Sequence, residues 1–465
     1  MALTSLFIVA GLLSCATSAA YTYNTMYFSE PLDHINGDPG FITIKAIFSQ
    51  GDPAGPLFVY TGDNNPIDQA YNNAGWVTQF LQPNYNASVI FIEHRFYGVS
   101  QPGNKNYNLL YLTTTQALLD WADIVQQVRP SSSTPVIAIG GVYGGMMAAF
   151  FRIKFPHIVD GAIASSAPFL APFDLNGSGY ARAASNDYAA VNASCASNIN
   201  FGFNILQSLL ERPVQWDTIS NVFKTCQPIA EPLQIFQLQD YLTAAFKLIA
   251  EYNYPYISNM YGPLPPWAVN VTCGIISKYN QAPINIWTTL QGMYEVANMF
   301  YNYTGRLACH DIENTPNHGL PWFYQICTEM VWPEGQYGPP NDIFPLRAWN
   351  YTSYAQSCNQ LFGVYPRPEW NMINFGMTMN ANATLEFDSN FIFSYGSLDP
   401  FKTSCFSDLT NFDSLVLPIN GVSTATDLRG PSPQDPQSLI YARNREVLMI
   451  NQWIKNKVSS ASKSQ

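Results

Sequence analysis

Short apolar runs rich in branched residues punctuate the first third of the chain, at residues 56–61, 88–93, 135–139 and 161–164. Their length and near-continuous hydrophobicity predict strands buried on both faces. Between the second and third runs, Leu118, Trp121, Val125 and Val128 recur at helical spacing on a segment that Pro130 ends. That stripe is read as core packing. Strands alternating with helices specify a mainly parallel sheet covered on both faces. From residue 172 to 320 the alternation fades, and helical segments at 205–211 and 238–252 sit among Pro- and Asn-rich connections. Strand texture returns at 390–395 and 414–419. A last helix over 434–455 presents Ile440, Val447, Leu448, Asn451 and Ile454 on one side. Residues 459–465 are expected to be disordered, and no internal repeat is visible.

Residues 6–13 form an apolar run followed by the small residues Ala16, Ser18, Ala19 and Ala20. This reads as a secretory signal peptide over residues 1–20, although no basic residue precedes the run. It falls short of the roughly 20 apolar residues that cross a bilayer. The longest later apolar stretch, 136–151, contains four glycines and runs into Arg152, so no membrane span is expected. Passage through the secretory pathway, to the outside or to the lysosome, is supported separately by N-x-[ST] sites at Asn86, Asn176, Asn192, Asn270, Asn302, Asn350 and Asn382.

In that compartment cysteines pair. Removing Cys15 with the signal leaves Cys195, Cys226, Cys273, Cys309, Cys327, Cys358 and Cys405, an odd number, so one thiol is expected to stay free. All but Cys358 and Cys405 fall in or at the edge of the helical region, which reads as a disulfide-stapled insertion. Zinc is the rival use of a cysteine set. No C-x-x-C or His pair at ligand spacing is present, so neither a metal nor a cofactor is expected. Over 465 residues, 47% are hydrophobic and 11% charged, against about 25% charged in an average domain. That excludes a disordered chain and a coiled coil. With 21 Lys+Arg against 32 Asp+Glu, the net charge of -11 repels phosphate backbones and excludes nucleic acid as a partner.

The most informative stretch begins Pro135-Val-Ile-Ala-Ile-Gly-Gly-Val-Tyr-Gly-Gly-Met-Met and continues as a helix. An apolar strand entering a glycine-rich turn and then a helix is the setting of a G-x-S-x-G nucleophile elbow. Here the central residue is Val142, which has no lone pair and cannot attack a carbonyl. A phosphate-binding turn is the alternative for such glycines, but neither a G-x-G-x-x-G spacing nor a Gly-Lys-Ser/Thr follows.

Together with the blocks around it, the elbow resembles the prolyl carboxypeptidase and dipeptidyl peptidase II family of secretory and lysosomal serine peptidases. The blocks are Pro31-Leu-Asp-His34, Tyr60-Thr-Gly-Asp-Asn64, Glu93-His-Arg-Phe-Tyr-Gly98, Phe155-Pro-His157 and Ser165-Ser-Ala-Pro168. They continue with Tyr254-Pro-Tyr256, Tyr303-Thr-Gly305, Gln325-Ile-Cys-Thr-Glu-Met330, Leu398-Asp-Pro400, Asp427-Leu-Arg429 and Asp435-Pro436, covering nearly all of the mature chain. The resemblance implies an α/β-hydrolase fold in two parts, residues 21–171 and 321–465, interrupted by a helical cap over 172–320. It implies binding of proline-containing peptides between the two. A second copy of the chain, or an active relative, is the protein partner it implies.

The catalytic residues are where this chain departs from the pattern. By resemblance, the serine position is Val142, the acid is Asp399 and the histidine position is Thr424. A count agrees: the five histidines, His34, His94, His157, His310 and His318, all precede Asp399. The α/β-hydrolase order of nucleophile, acid, histidine cannot be met. Losing the nucleophile or the histidine alone costs about 10⁶ in kcat in a comparable protease, so no useful turnover is expected. What remains is an oxyanion site at the Tyr143 backbone N–H, with a group near Gly62. A β-branched residue at the elbow is strained by about 1–3 kcal/mol, so the turn is expected to have relaxed or Val142 to be packed as an apolar plug.

Asp399 is accordingly read as a loop aspartate held by backbone N–H groups, and His94 as buried support for the sheet edge. Cys405 lacks a flanking histidine and is read as the free thiol rather than a replacement nucleophile. Six cysteines allow 15 pairings; the resemblance selects Cys195–Cys273, Cys226–Cys309 and Cys327–Cys358. It also places Met146, Met330 and Phe401 in an apolar proline-sized pocket with Glu329 beside it, although these are equally ordinary core residues.

Overall fold

The computed structural model describes residues 21–37, 40–103, 109–174, 176–314, 319–376, 378, 389–407 and 413–463. The signal expected over residues 1–20, the sequon at Asn382 and His318 lie outside them.

Strands run in chain order β1 (Asn24–Pro31), β2 (Phe41–Ser49), β3 (Leu57–Thr61), β4 (Ser88–Ile92), β5 (Val136–Gly141) and β6 (Gly161–Ser165). After the short hairpin β7 (Ser258–Asn259) and β8 (Pro263–Leu264) come β9 (Phe391–Gly396) and β10 (Leu415–Ile419). Eight of them form one sheet in the order β1-β2-β4-β3-β5-β6-β9-β10. β2 is antiparallel to both β1 and β4, and every pairing from β4 to β10 is parallel. This is the α/β-hydrolase fold.

All six strands read from the sequence lie within two residues of their expected ends. β1 and β2 were not foreseen. β2 does carry the signal, since Ile42, Ile44 and Ala46 alternate inward, but Lys45 and Thr43 break its apolar run.

One sheet face packs against the helices Thr114–Val128 and Tyr143–Lys154, burying Trp121, Phe150 and Phe151 completely. The other packs against the last helix, Gln437–Lys463, through Leu439, Ala442, Ile450 and Trp453. Two expectations for that helix are corrected. It runs through Lys463, because neither glycine nor proline follows Pro436 to stop it. Ile440 and Leu448 are exposed. The true inward stripe contains Arg443 and Glu446, both buried, whose charges hid it from a reading of apolar spacing.

Between β6 and β9 lie the cap helices Gly179–Val191, Ala193–Ser208, Trp216–Phe223, Pro232–Glu251, Ala268–Tyr279 and Ile286–Tyr301. They bury a separate core that includes Tyr188, Leu206, Leu242, Phe246 and Met293. Asn192 starts the second of them by accepting the Ser194 N–H. The helix expected at 205–211 is therefore the end of one that begins at Ala193. Disulfides join Cys195 to Cys273, Cys226 to Cys309 and Cys327 to Cys358, the pairs the resemblance implies. Among the described residues no helix is long and apolar enough to cross a membrane.

Candidate active site

β5 delivers Val142 to the top of the sheet, and the helix Tyr143–Lys154 leaves directly from it. Val142 has φ 52° and ψ −120°. Its N–H donates to the Ser165 carbonyl at 2.9 Å, and its carbonyl accepts the Met146 N–H at 3.0 Å. The expectation of a relaxed elbow or a packed plug is thus corrected: the turn keeps a positive φ, and Val142 lines a cavity of about 280 Å³. The cause lies in the packing of strand on helix. A Cβ on Gly140 would meet the Gly144 carbonyl oxygen at 2.2 Å, so the two backbones touch and leave the intervening residue no other path. The turn thus holds a β-branched residue at positive φ, at about 1–3 kcal/mol for a non-glycine residue.

Asp399 follows β9 and is fully buried. Its Oδ1 accepts the Phe401 N–H at 2.9 Å and the Thr424 hydroxyl at 2.7 Å. Burial pushes the carboxyl up to about 6, against hydrogen bonds from Ser166 and Thr424 that draw it down. Thr424 stands in a loop fixed by the Tyr254 hydroxyl, which donates to its carbonyl at 2.8 Å. Val142 and Thr424 line the same cavity. The site therefore brings an acid, a hydroxyl that donates to it, and a hydrocarbon to one cavity wall and the loop behind it. Neither Val142 nor Thr424 can take a proton from a nucleophile as an imidazole does.

Tyr143 opens the elbow helix, so its N–H sits where helical donors lack an intrahelical partner. The Gly62 N–H does not join it, being donated to the Ile92 carbonyl at 2.9 Å. The Tyr143 ring is fixed from behind: Gln325 Nε2 donates to its hydroxyl at 2.9 Å, and His94 Nε2 lies 3.1 Å from it. His94 Nδ1 lies 2.8 Å from the Arg95 carbonyl. That contact needs a proton on Nδ1, which leaves Nε2 to accept from Tyr143. Burial holds His94 down at about 4, so it is neutral support for the elbow.

The cavity runs between the hydrolase domain and the cap. The elbow side supplies Gly141, Val142 and Tyr143, and the cap supplies Tyr180, Lys247, Glu251, Tyr252 and Tyr254. Asp63, Trp322, Trp332, Phe401 and Arg429 complete an aromatic cleft with charges of both signs. Burial pushes Asp63 up to about 6 and Glu251 up to about 7.

Of the residues expected to line a proline-sized pocket, Phe401 does, its ring 4.8 Å from that of Tyr180. Met146, Met330 and Glu329 are corrected: none borders the cavity. Met146 and Met330 are 1% exposed and belong to the core beneath the sheet. Glu329, also buried, accepts the Thr114 N–H at 2.6 Å and so caps the start of helix Thr114–Val128. Among the described residues Cys405 is the free thiol; it is buried, and burial raises its pKa, which suppresses the thiolate. The cavity residues passed over in the sequence, Asp63, Tyr254 and Arg429, stand inside quoted blocks of the resemblance, and Lys247 and Glu251 inside a helix that reads as cap core.

Fold, elbow and acid position together define an α/β-hydrolase built on the plan of a serine peptidase. The family model for Serine carboxypeptidase S28 matches residues 43–446, and the chain belongs to that family. It is 32% identical over 470 residues to the lysosomal Pro-X carboxypeptidase of Homo sapiens, covering 96% of this chain and 91% of the relative. It is 32% identical over 475 residues to the prolyl carboxy peptidase like protein 5 of Caenorhabditis elegans, covering 95% and 92%. The thymus-specific serine protease of Mus musculus is 26% identical over 439 residues, covering 88% and 82%.

Proposed function

We propose that this chain is a catalytically inactive member of its family, carried through the secretory pathway to the outside or to the lysosome. Its function is to bind proline-containing peptides in the cleft between cap and sheet. The observation that carries the reading is the pairing of Val142, on an elbow of preserved geometry, with a Thr424 hydroxyl bonded to Asp399. The cleft beside them keeps an aromatic lining, which suits a proline ring.

The experiment uses the purified chain and a double variant, Val142→Ser with Thr424→His, against a panel of proline-containing peptides at acidic and neutral pH. The natural chain is expected to be silent, to bind members of the panel in a fluorescence-anisotropy assay, and the double variant to gain turnover. Hydrolysis by the natural chain would overturn the inactivity. Absence of binding by the natural chain, with or without turnover in the variant, would overturn the peptide-binding role.

A further inference from the structure

On the sheet edge away from the cleft, three side chains converge on one point. Glu30 Oε, a ring nitrogen of His34 and Asp123 Oδ all lie within 4.8 Å of one another. Their placement follows from the local fold. Glu30 shares the inward face of β1 with Phe28, two residues away. His34 sits in the turn after β1, where its N–H donates to Gln116 Oε1 at 2.9 Å. Asp120 and Asp123, one helical turn apart on Thr114–Val128, face that turn.

The hydrogen bonds decide which atoms are free. Arg95 holds Asp120 with both arms of its guanidinium, Nε at 2.7 Å and Nη2 at 2.6 Å. Asp120 Oδ1 also lies 2.8 Å from His34 Nε2, which must therefore carry the ring proton. That turns the lone pair on Nδ1 toward Asp123 Oδ2, 3.7 Å away. Glu30 is 2% exposed and its Oε1 has no hydrogen-bond partner, although Gln127 lies against the same carboxyl. With Glu30 ionised, three acceptor atoms face one another with no donor between them, so a proton, on Glu30 or on the imidazole, or a cation must occupy the gap.

We propose that Glu30, His34 and Asp123 form a divalent transition-metal site suited to zinc. One imidazole and two carboxylates match zinc's preferences. Calcium, which takes six to eight oxygens, is not served by them. Asp120 supplies the outer contact on the ligand histidine that metal sites regularly use to fix tautomer and orientation. The Asp123 side chain is 49% exposed, which leaves an approach for the ion and for a water as fourth ligand. Bound there, the ion ties the edge strand and its turn to helix Thr114–Val128, adding stability by mass action.

The test is calorimetric titration of the EDTA-stripped full chain with zinc chloride, and separately with manganese and calcium chloride, beside thermal melts. One zinc per chain, a raised melting temperature and weaker or no response to calcium are expected. Asp123→Asn, at a half-exposed position that leaves the fold intact, and His34→Gln should each weaken zinc binding by about tenfold or more. His157→Gln, at an exposed histidine elsewhere, should leave it unchanged. Failure of the natural chain to bind zinc would overturn the site and assign the gap to a proton. Equal binding by Asp123→Asn and the natural chain would overturn it as well.

Discussion

Thr424 donates its hydroxyl to Asp399 Oδ1 at 2.7 Å, so the buried acid orients a group that donates a proton to it and cannot relay one to it from a nucleophile. The bond adds a second donor to that oxygen, beside the Phe401 N–H at 2.9 Å. On the proposed reading Val142 and Thr424 occupy two positions of a triad whose members act as a unit, so restoring one alone repairs nothing. Val142→Ser and Thr424→His are each expected to stay at background hydrolysis, with turnover confined to the double variant. Activity in Val142→Ser alone would show that another group serves as base.

The elbow strain is open to direct measurement. Val142 holds φ 52° because Gly140 and Gly144 touch, a conformation that glycine adopts freely. Val142→Gly is expected to raise unfolding stability by about 1 kcal/mol, strain relief of about 1–3 kcal/mol less the added chain entropy of glycine. Urea unfolding reads this. A loss of stability would mean that the valine side chain packs better than its place on the cavity wall implies.

Buried carboxyls set the response to pH. Burial raises Asp63 and Asp399 to about 6, Asp187 and Glu251 to about 7 and Glu30 to about 8, from ordinary values of 3.8 and 4.5, and it raises Glu329 and Glu446 as well. A raised folded-state pKa means the native chain holds protons that the unfolded chain has already released. The associated stability is complete below the unfolded values and is lost as pH climbs through 6 to 8. His94, held down at about 4, and His310, also lowered by burial, work in the opposite sense below about pH 6.5 and are outnumbered by these carboxyls. The melting temperature is therefore expected to be higher near pH 5 than near pH 7.5, and Glu251→Gln to flatten the fall. A melting temperature that rises across this window would contradict the assignment.

Among the sequons, Asn302 stands apart. Its Nδ2 donates to Asn298 Oδ1 at 3.0 Å and to the Leu307 carbonyl at 3.2 Å, and the residue is half-buried. Asn86, Asn176, Asn192, Asn270 and Asn350 are exposed. Glycopeptide mass spectrometry of chain secreted from eukaryotic cells is expected to find glycan at exposed sites and little at Asn302. Full occupancy of Asn302 would mean that glycan is attached before the loop 302–307 forms.

Much of this was legible in the sequence. The inner strands announced themselves because a strand covered on both faces needs a continuous apolar run. β1 and β2 did not, since an edge hairpin buries one face and mixes Lys45, Thr43 and Glu30 into its pattern. The last helix shows the same limit, its inward face carrying Arg443 and Glu446 in a buried polar stripe.

The chemistry divides along the same line. The residue types alone carry the proposed inactivity, because no histidine follows Asp399 and the elbow's central residue is valine. Composition and order suffice to argue it, since a missing lone pair cannot be restored by folding. Which residues border the cleft was another matter. Met146, Met330 and Glu329 sit in the quoted blocks, yet the side of the helix or turn from which each projects sends it into the core, while Lys247 and Glu251 project from a cap helix into the cavity. Direction is a property of how two domains meet, and so are the strained angle at Val142 and the convergence of Glu30, His34 and Asp123. These depend on contacts between segments far apart in the chain, and only the tertiary structure decided them.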